Sequence, residues 1–219
     1  MIPTVGAEFV CRMEDVLDLY AEPYDPARPV VGFDETTKQL VAETRTPLPM
    51  EPGRPERIDY EYERRGTANR FLLCQPLGGW RHVEVTDRRT KHEFALQMRA
   101  LVDRHFPDAE RIRVVLDNLN THTPAALYEA FAPAEARRIA RKLEFHHTPV
   151  HGSWLNVAEL EFSMLTRQCL ERRIPDRAGL EAEVAAWETA RNEQRATIHW
   201  QFTAEDARVK LHRLYPDPA

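Results

Sequence analysis

Three acidic residues, Asp34, Asp117 and Glu159, occupy positions from which they could share a metal ion. Asp34 and Asp117 each close a short apolar run typical of a buried strand, and Glu159 lies on the polar side of a predicted helix. Ligand sites of open α/β sheets lie at strand ends. Carboxylate oxygens suit Mg²⁺, and a metal pair can drive in-line displacement at phosphorus. The three acids are therefore candidates for a catalytic metal site.

The same acids allow plainer interpretations. An aspartate after a strand is commonly a turn residue, and Glu159 could be a solvated helix acid. Glu161 is a rival two positions along the helix, but it lies about 200° around the axis from that polar side. Glu35 points to the opposite face of the strand from Asp34, so we expect it to belong elsewhere.

Strands and helices alternate along the chain, and these elements must position the three acids. An amphipathic helix is predicted from Phe9 to Tyr20, ending before Pro23, and a proline-rich loop covers 41–57. Strands are predicted at Val30 to Asp34, Asn69 to Gln75, Trp80 to Thr86, Ile112 to Leu116 and Leu143 to His147. Helices are predicted at about 94–106, after Pro124, after Pro133, and at about 154–172, 176–195 and 204–214, with Asp176 and Thr203 as N-caps of the last two. This order predicts a mixed sheet covered by helices.

Composition restricts the class of protein further. The 219 residues carry a net charge of −5, the wrong sign for non-specific coating of nucleic acid. No apolar run approaches the ~20 residues of a membrane span, and no signal peptide is visible, so we expect a cytoplasmic protein without a membrane partner. Cys11, Cys74 and Cys169 are too scattered for a CxxC motif and fit a reducing compartment.

Three segments carry a family resemblance when taken in order. Val31-Gly32-Phe33-Asp34-Glu35, Val115-Leu116-Asp117-Asn118-Leu119-Asn120-Thr121-His122 and His151-Gly152-Ser153-Trp154-Leu155-Asn156-Val157-Ala158-Glu159 resemble the DDE catalytic core of insertion-sequence transposases. The IS630 family, bacterial relatives of Tc1/mariner, is the most similar branch. Val157 stands where Tc1-like members have a proline, and His151 to Trp154 replaces a common Ser-Pro-Asp. These departures suit the IS630 side and leave the acids intact.

The resemblance implies an RNase H-like fold and a transposase catalytic domain that cuts and joins DNA. It makes Asp34, Asp117 and Glu159 both the catalytic and the metal-binding residues, with two Mg²⁺ ions for which Mn²⁺ substitutes. Double-stranded DNA, as transposon ends and target, is the implied substrate, bound by a homodimer at the bacterial nucleoid. Residues 29–216 would form the catalytic domain and 1–28 an N-terminal linker helix. We expect no helix-turn-helix domain in this sequence, and hence a separate DNA-recognition chain as a partner.

Further residues are expected to line the rim of the site or to contact DNA. Residues expected to line or support the acids are Asn118, Asn120, His122, His147, His151, Trp154 and Asn156. His146, His147 and His151 form an HHxxxH cluster, but it is not a HExxH zinc motif, and His147 or His151 is expected to contact phosphate or the third acid. The expected DNA contacts are Arg64, Arg65 and Arg70. Two alternatives remain: a truncated or inactive remnant, and an RNase H-like nuclease without strand transfer.

Overall fold

A five-stranded mixed sheet organises the protein, whose structure is a computed structural model describing residues 6–55, 57 and 59–216. The strands are β1 (Val30–Glu43), β2 (Tyr62–Gln75), β3 (Trp80–Thr86), β4 (Ile112–Leu116) and β5 (Leu143–His147). Their order is β3-β2-β1-β4-β5. The β3-β2-β1 half is antiparallel, while β4 and β5 run parallel to β1. β1 is thus central and joins the two halves.

Helices cover both faces of the sheet, which confirms the predicted architecture. They are α1 (Ala7–Ala21), α2 (Lys91–Ala100), α3 (Pro124–Ala130), α4 (Pro133–Lys142), α5 (Val157–Leu165), α6 (Arg177–Glu193) and α7 (Ala204–Lys210). Single π-helical turns follow α2 (Leu101–His105) and α5 (Thr166–Leu170), and short 3₁₀ turns lie at Ser153–Leu155 and His212–Leu214. Among the described helices, none has the length and apolar character that crossing a membrane requires.

Two apolar cores lie on opposite faces of the sheet because side chains alternate along each strand. One core packs α1, α5, α6 and α7 on the face that carries Leu72, Cys74 and Val115. The other packs α2, α3 and α4 on the face that carries Val31 and Phe33. Neighbouring residues of β1 therefore serve different cores.

The strand predicted to end at Asp34 is longer than expected, so that boundary is wrong. β1 continues to Glu43, and its outer half pairs with β2, which begins at Tyr62 rather than Asn69. The apolar run marks only the buried half, whereas backbone pairing and the strand-favouring Thr36 and Thr37 extend the ladder into solvent. The proline-rich loop predicted at 41–57 therefore starts after Glu43; residue 56 lies outside the described residues.

Helix starts follow the predicted signals. Pro124 and Pro133 occupy the first turn of α3 and α4. Asp176 caps α6 by accepting from the Gly179 backbone N–H at 2.7 Å, and Thr203 forms a capping box at α7. The predicted N-terminal helix is α1, ending at Ala21; residues 1–5 of the predicted linker lie outside the described part.

The helix predicted from 154 to 172 is not continuous. A 3₁₀ turn ends at Leu155, and α5 begins afresh at Val157 with Asn156 as its N-cap. The side chain of Asn156 competes for backbone donors, which is why asparagine favours such a boundary.

Candidate active site

Adjacent parallel strands place Asp34 and Asp117 side by side. Gly32 of β1 pairs with Val115 of β4, and two further residues on each strand bring the two aspartates level. Neighbouring strands are about 4.8 Å apart, so the carboxylates are close. Asp34 shares the sheet face of Gly32, the face that α5 covers. The two acids thus meet beneath the start of α5.

α5 begins directly over β1 and is tied to it by Asn156. The Asn156 side chain accepts from the Ala158 backbone N–H at 3.1 Å and donates to the Phe33 carbonyl at 2.9 Å. Asn156 is only 1% exposed, so both hydrogen bonds are shielded from water. A Cβ at Gly32 would lie 2.5 Å from Cγ1 of Val157, hence glycine allows the close approach of helix and strand.

α1 holds the same helix start from the other side. The Tyr20 hydroxyl donates to the Leu155 carbonyl at 3.0 Å and accepts from the Val157 backbone N–H at 3.2 Å. Burial raises the pKa of Tyr20, which keeps its hydroxyl protonated as the donor. The predicted N-terminal helix therefore helps to position α5.

Glu159 lies in the first turn of α5 and acts electrostatically on Asp34. The pKa of Asp34 is raised to about 7, mainly by burial. A 2.8 Å hydrogen bond from the Glu35 backbone N–H lowers the pKa, whereas the charges of Asp117 and Glu159 raise it further. The carboxylates are therefore mutually repelling neighbours. A site with this excess of negative charge favours binding of a cation.

The donor set suits a hard divalent cation. Among the described residues, no three His, Cys, Asp or Glu side chains already lie close enough to hold a metal ion. The three carboxylates nonetheless supply only oxygen ligands, the kind that Mg²⁺ takes while keeping several waters. The charges of Asp117 and Glu159 both contribute to the raised pKa of Asp34. Asp34, Asp117 and Glu159 are the residues that would hold such ions.

His122 lies behind Asp117 and contacts two acids. Its Nδ1 is 2.5 Å from Asp117 Oδ1, and its Nε2 is 2.7 Å from Glu35 Oε2. Burial lowers the pKa of His122, but the hydrogen bonds and charges of Asp117 and Glu35 outweigh it and raise the pKa to about 9. The imidazole is therefore a buried cation between two carboxylates.

The residues after Asp117 form the exposed rim. Asn118 and Asn120 are exposed in the turn between Asp117 and His122. His147, at the end of β5, donates from Nε2 to the His122 carbonyl at 3.0 Å. His147 thus supports the loop behind Asp117, and its expected contact with phosphate or the third acid stays a prediction.

The two remaining rim residues, His151 and Trp154, are exposed. His151 has a positive φ of 65°, a conformation that a non-glycine residue rarely adopts. Trp154 is 41% exposed and packs edge-on against Phe202, with the ring centres 5.8 Å apart. His146 does not join them, since its Nδ1 faces Asp15 at 2.7 Å. The HHxxxH residues therefore point to different partners.

Two of the three arginines predicted to contact DNA lie on the surface. Arg64 and Arg65 are exposed on the outer half of β2, and Arg65 pairs with Glu63 at 3.0 Å. Arg70 is only 4% exposed, with its guanidinium 5.5 Å from the Phe162 ring centre, and burial lowers its pKa to about 10. Arg70 therefore does not share the surface of the other two, and its proposed contact with DNA is untested.

A buried ion-pair cluster accounts for Glu161, the rival acid of α5. Glu161 Oε1 lies 2.8 Å from Arg81 Nη2 and 2.9 Å from Arg191 Nη2, and the Glu161 and Arg81 side chains are 0% exposed. Glu161 thus fixes α5 to β3 and α6, away from the acids. Its position off the polar side of the helix was the available sequence signal, but neither arginine partner could be identified that way.

Comparison with known proteins identifies the family and the fold of the chain. The family model for DDE superfamily endonucleases matches residues 29–181. No curated protein matches the sequence. Among solved structures, the chain is similar to the Mos1 mariner paired-end complex with Mn (TM-score 0.60, 14% identity, covering 90% of this chain and 60% of that one). It is also similar to the Mos1 strand transfer complex (TM-score 0.58, 15% identity, 86% and 56% covered) and to the paired-end complex with Mg (TM-score 0.52, 17% identity, 89% and 58% covered).

The structural similarity identifies the fold as RNase H-like, as expected. The chain spans at most about three-fifths of the length of these three Mos1 chains.

Proposed function

Because the chain belongs to the DDE superfamily endonucleases, we propose that it is the catalytic domain of a DNA transposase of the IS630 branch. It would cleave the ends of a transposon and join the freed 3′ ends to target DNA. The observation that carries this proposal is the placement of Asp34 and Asp117 at neighbouring positions of adjacent parallel strands, with Glu159 in the first turn of the helix that packs over them. Elements from distant parts of the chain converge on that point.

The chain's own residues would position and polarise the reacting groups. Asp34, Asp117 and Glu159 would together hold the divalent ions through their carboxylate oxygens. When bound, such ions activate the attacking oxygen and stabilise the leaving oxygen of an in-line displacement. Asn156 holds α5, and thus Glu159, over β1 through its hydrogen bond to Phe33.

Mg²⁺ as the physiological ion, with Mn²⁺ as substitute, is part of the proposal. Its support is the all-oxygen donor set together with the Mn and Mg complexes of Mos1. Double-stranded DNA as substrate, a homodimer on that DNA, a nucleoid location and a separate recognition chain remain proposals of the same kind. Arg64 and Arg65 are the proposed phosphate contacts because both are exposed on the outer half of β2.

The decisive experiment compares Asp117→Ala with Asp108→Ala, which removes an exposed aspartate away from the site. The substrates are uncut and precleaved transposon-end DNA, each incubated with Mg²⁺ or Mn²⁺ and target plasmid. We expect wild type and Asp108→Ala to join precleaved ends to the plasmid and Asp117→Ala to form no product. The Asp117→Ala protein should keep its circular dichroism spectrum.

Three other outcomes would contradict the proposal in different ways. Cleavage without any joined product would indicate a nuclease that lacks strand transfer. Absence of both products, with no Mn²⁺ binding by calorimetry, would indicate an inactive remnant. Full activity of Asp117→Ala would show that Asp117 is not part of the catalytic site.

A further inference from the structure

The site contains a second pair of residues, Glu35 and His122, that the proposed chemistry does not use. His122 is 1% exposed, and the Glu35 side chain is 4% exposed. Asp117, whose side chain is 30% exposed, lies on the outer side of the imidazole. The arrangement Glu35–His122–Asp117 therefore leads from the interior to the edge of the acidic site.

Aromatic packing fixes the plane of the His122 ring. Phe94 stacks on it with ring centres 5.0 Å apart and planes at 29°, and Phe33 meets it edge-on at 5.1 Å and 82°. His147 holds the backbone of the same residue through a 3.0 Å hydrogen bond to its carbonyl. The imidazole consequently has little freedom to rotate away from either carboxylate.

Both ring nitrogens face carboxylate oxygens. Nδ1 donates to Asp117 Oδ1 at 2.5 Å. Nε2 is 2.7 Å from Glu35 Oε2, within ion-pair distance. The imidazole is therefore held between two carboxylate oxygens, one on each side of the ring. Glu35 thus contacts the inner nitrogen of the ring whose outer nitrogen contacts Asp117.

The contacts of Asp117 are confined to one of its two oxygens. Oδ1 accepts from His122 and from the Leu119 backbone N–H at 3.3 Å. Within the described part of the chain, Oδ2 makes no hydrogen bond or ion pair. One oxygen is therefore anchored, and the other has no partner among the described residues.

We propose that Glu35 and His122 are positioning residues: Glu35 orients the His122 imidazole, which anchors Asp117 Oδ1 so that Oδ2 is presented to a divalent ion. The proposal rests on the proposed function, since it assigns Asp117 as a ligand. Glu35 and Asp34 are consecutive, so one strand delivers a ligand on one face and the support of another ligand on the opposite face.

The test is a calorimetric titration of the full chain with Mn²⁺ alone, combined with the Mn²⁺ dependence of DNA cleavage. Partners that orient metal ligands typically alter metal affinity or activity about 10- to 100-fold when removed. We expect Glu35→Gln to weaken Mn²⁺ binding about 10-fold and His122→Ala to weaken it up to about 100-fold. The Mn²⁺ concentration that gives half-maximal cleavage should rise in the same order, because the affected step is metal binding by Asp117. His122→Asn, whose amide can donate to Asp117 from a place close to that of Nδ1, should recover part of the affinity.

A matched control is available at His82, which also lies beside two acids. His82 Nδ1 is 3.1 Å from Glu188 Oε1, and its Nε2 is 3.6 Å from Glu84 Oε2. Glu188→Gln removes a comparable contact on β3 and α6, and we expect unchanged Mn²⁺ binding. If removing a histidine-bound acid acted only by a general loss of stability, Glu35→Gln and Glu188→Gln would both lower the melting temperature. Their Mn²⁺ titrations would then be similar to each other.

The outcomes separate this proposal from the one it rests on. If Glu35→Gln and His122→Ala melt as folded proteins and bind Mn²⁺ with wild-type affinity while Asp117→Ala does not bind, only the positioning role is overturned. If Asp117→Ala also binds Mn²⁺ and cleaves DNA as wild type does, the assignment of Asp117 itself fails. If Glu35→Gln weakens Mn²⁺ binding while Glu188→Gln does not, and His122→Asn binds more tightly than His122→Ala, the positioning role is supported.

Discussion

Replacing Asp34 with asparagine is expected to stabilise the metal-free protein at alkaline pH, although it removes a catalytic acid. The fold raises the Asp34 pKa from 3.8 to about 7, chiefly by burial and then by the neighbouring acids. The difference of about 3.2 units, at 1.36 kcal/mol each, amounts to about 4 kcal/mol of unfolding free energy. Because the residue keeps some solvent contact, we expect a measured gain of about 2 to 4 kcal/mol.

The direction of the pH dependence follows from proton binding. Between pH 3.8 and about 7 the folded state binds more protons at Asp34 than the unfolded state does, so its stability falls as pH rises. The penalty is absent below pH 3.8 and complete above pH 7. Asp34→Asn lacks this penalty. Wild type and variant should therefore be similar in stability at acid pH and diverge toward pH 8.

Urea unfolding in EDTA at several pH values from 4 to 8 measures the effect. For a chain of this length, each kcal/mol shifts the melting temperature by about 2–4 °C, so thermal unfolding should agree. Mg²⁺ at 100 times its dissociation constant should then stabilise wild type by about 2.7 kcal/mol and the variant by much less. Asp108→Asn, at an exposed aspartate, is the control. Parallel pH curves for wild type and Asp34→Asn would refute the reasoning.

Two further substitutions test the support of α5 and the DNA surface. Glu161→Gln leaves Arg81 and Arg191 without their shared buried carboxylate. We expect it to lower the free energy of unfolding, measured by urea titration, by about 3 kcal/mol. A loss below about 1 kcal/mol would contradict the importance of that ion-pair cluster. Replacing both Arg64 and Arg65 with glutamate should weaken DNA binding, measured by fluorescence anisotropy. The slope of log affinity against log salt concentration should fall in magnitude by about 2. An unchanged slope would show that neither arginine contacts DNA phosphates.

Several elements were predictable because local signals agree with their final environment. β3, β4 and β5 have the predicted bounds, since each apolar or aromatic run is flanked by polar residues or a turn. β4 is buried along its whole length, so every residue of its run carries the signal. The starts of α3 and α4 follow from proline alone, because its fixed φ and missing N–H suit the first turn.

The outer halves of β1 and β2 were not predictable in the same way. Their residues are largely polar, mostly half-buried along β1 and exposed along β2. What keeps them extended is the antiparallel pairing from Glu35↔Phe71 to Glu43↔Tyr62. Such pairing is a property of two segments far apart in sequence, so no local pattern reports it. The break before α5 was hidden for a related reason: helical spacing continues through Asn156, and its bond to Phe33 is a tertiary contact.

In the candidate site, too, local sequence signals predicted some features, while others depend on tertiary contacts. Asp34 and Asp117 could be recognised as candidates because each closes an apolar run, but the pairing of β1 with β4 that brings them together is a tertiary contact. Glu35 was correctly assigned to the other face of β1, but strand alternation does not reveal what packs on that face. His122 packs on this face of β1, against Phe33 and Phe94, because the turn after Asp117 brings it there.

The two consecutive acids of β1 should consequently respond to substitution with opposite signs. Every charged side chain that acts on Asp34 is acidic, so its carboxylate adds repulsion that only an external cation relieves. Glu35 instead faces the cationic His122, and removing its charge leaves a buried imidazolium with Asp117 alone. In EDTA at pH 8, Asp34→Asn should therefore raise the free energy of unfolding, whereas Glu35→Gln should lower it. A shared sign would mean that the two faces of β1 are not electrostatically distinct.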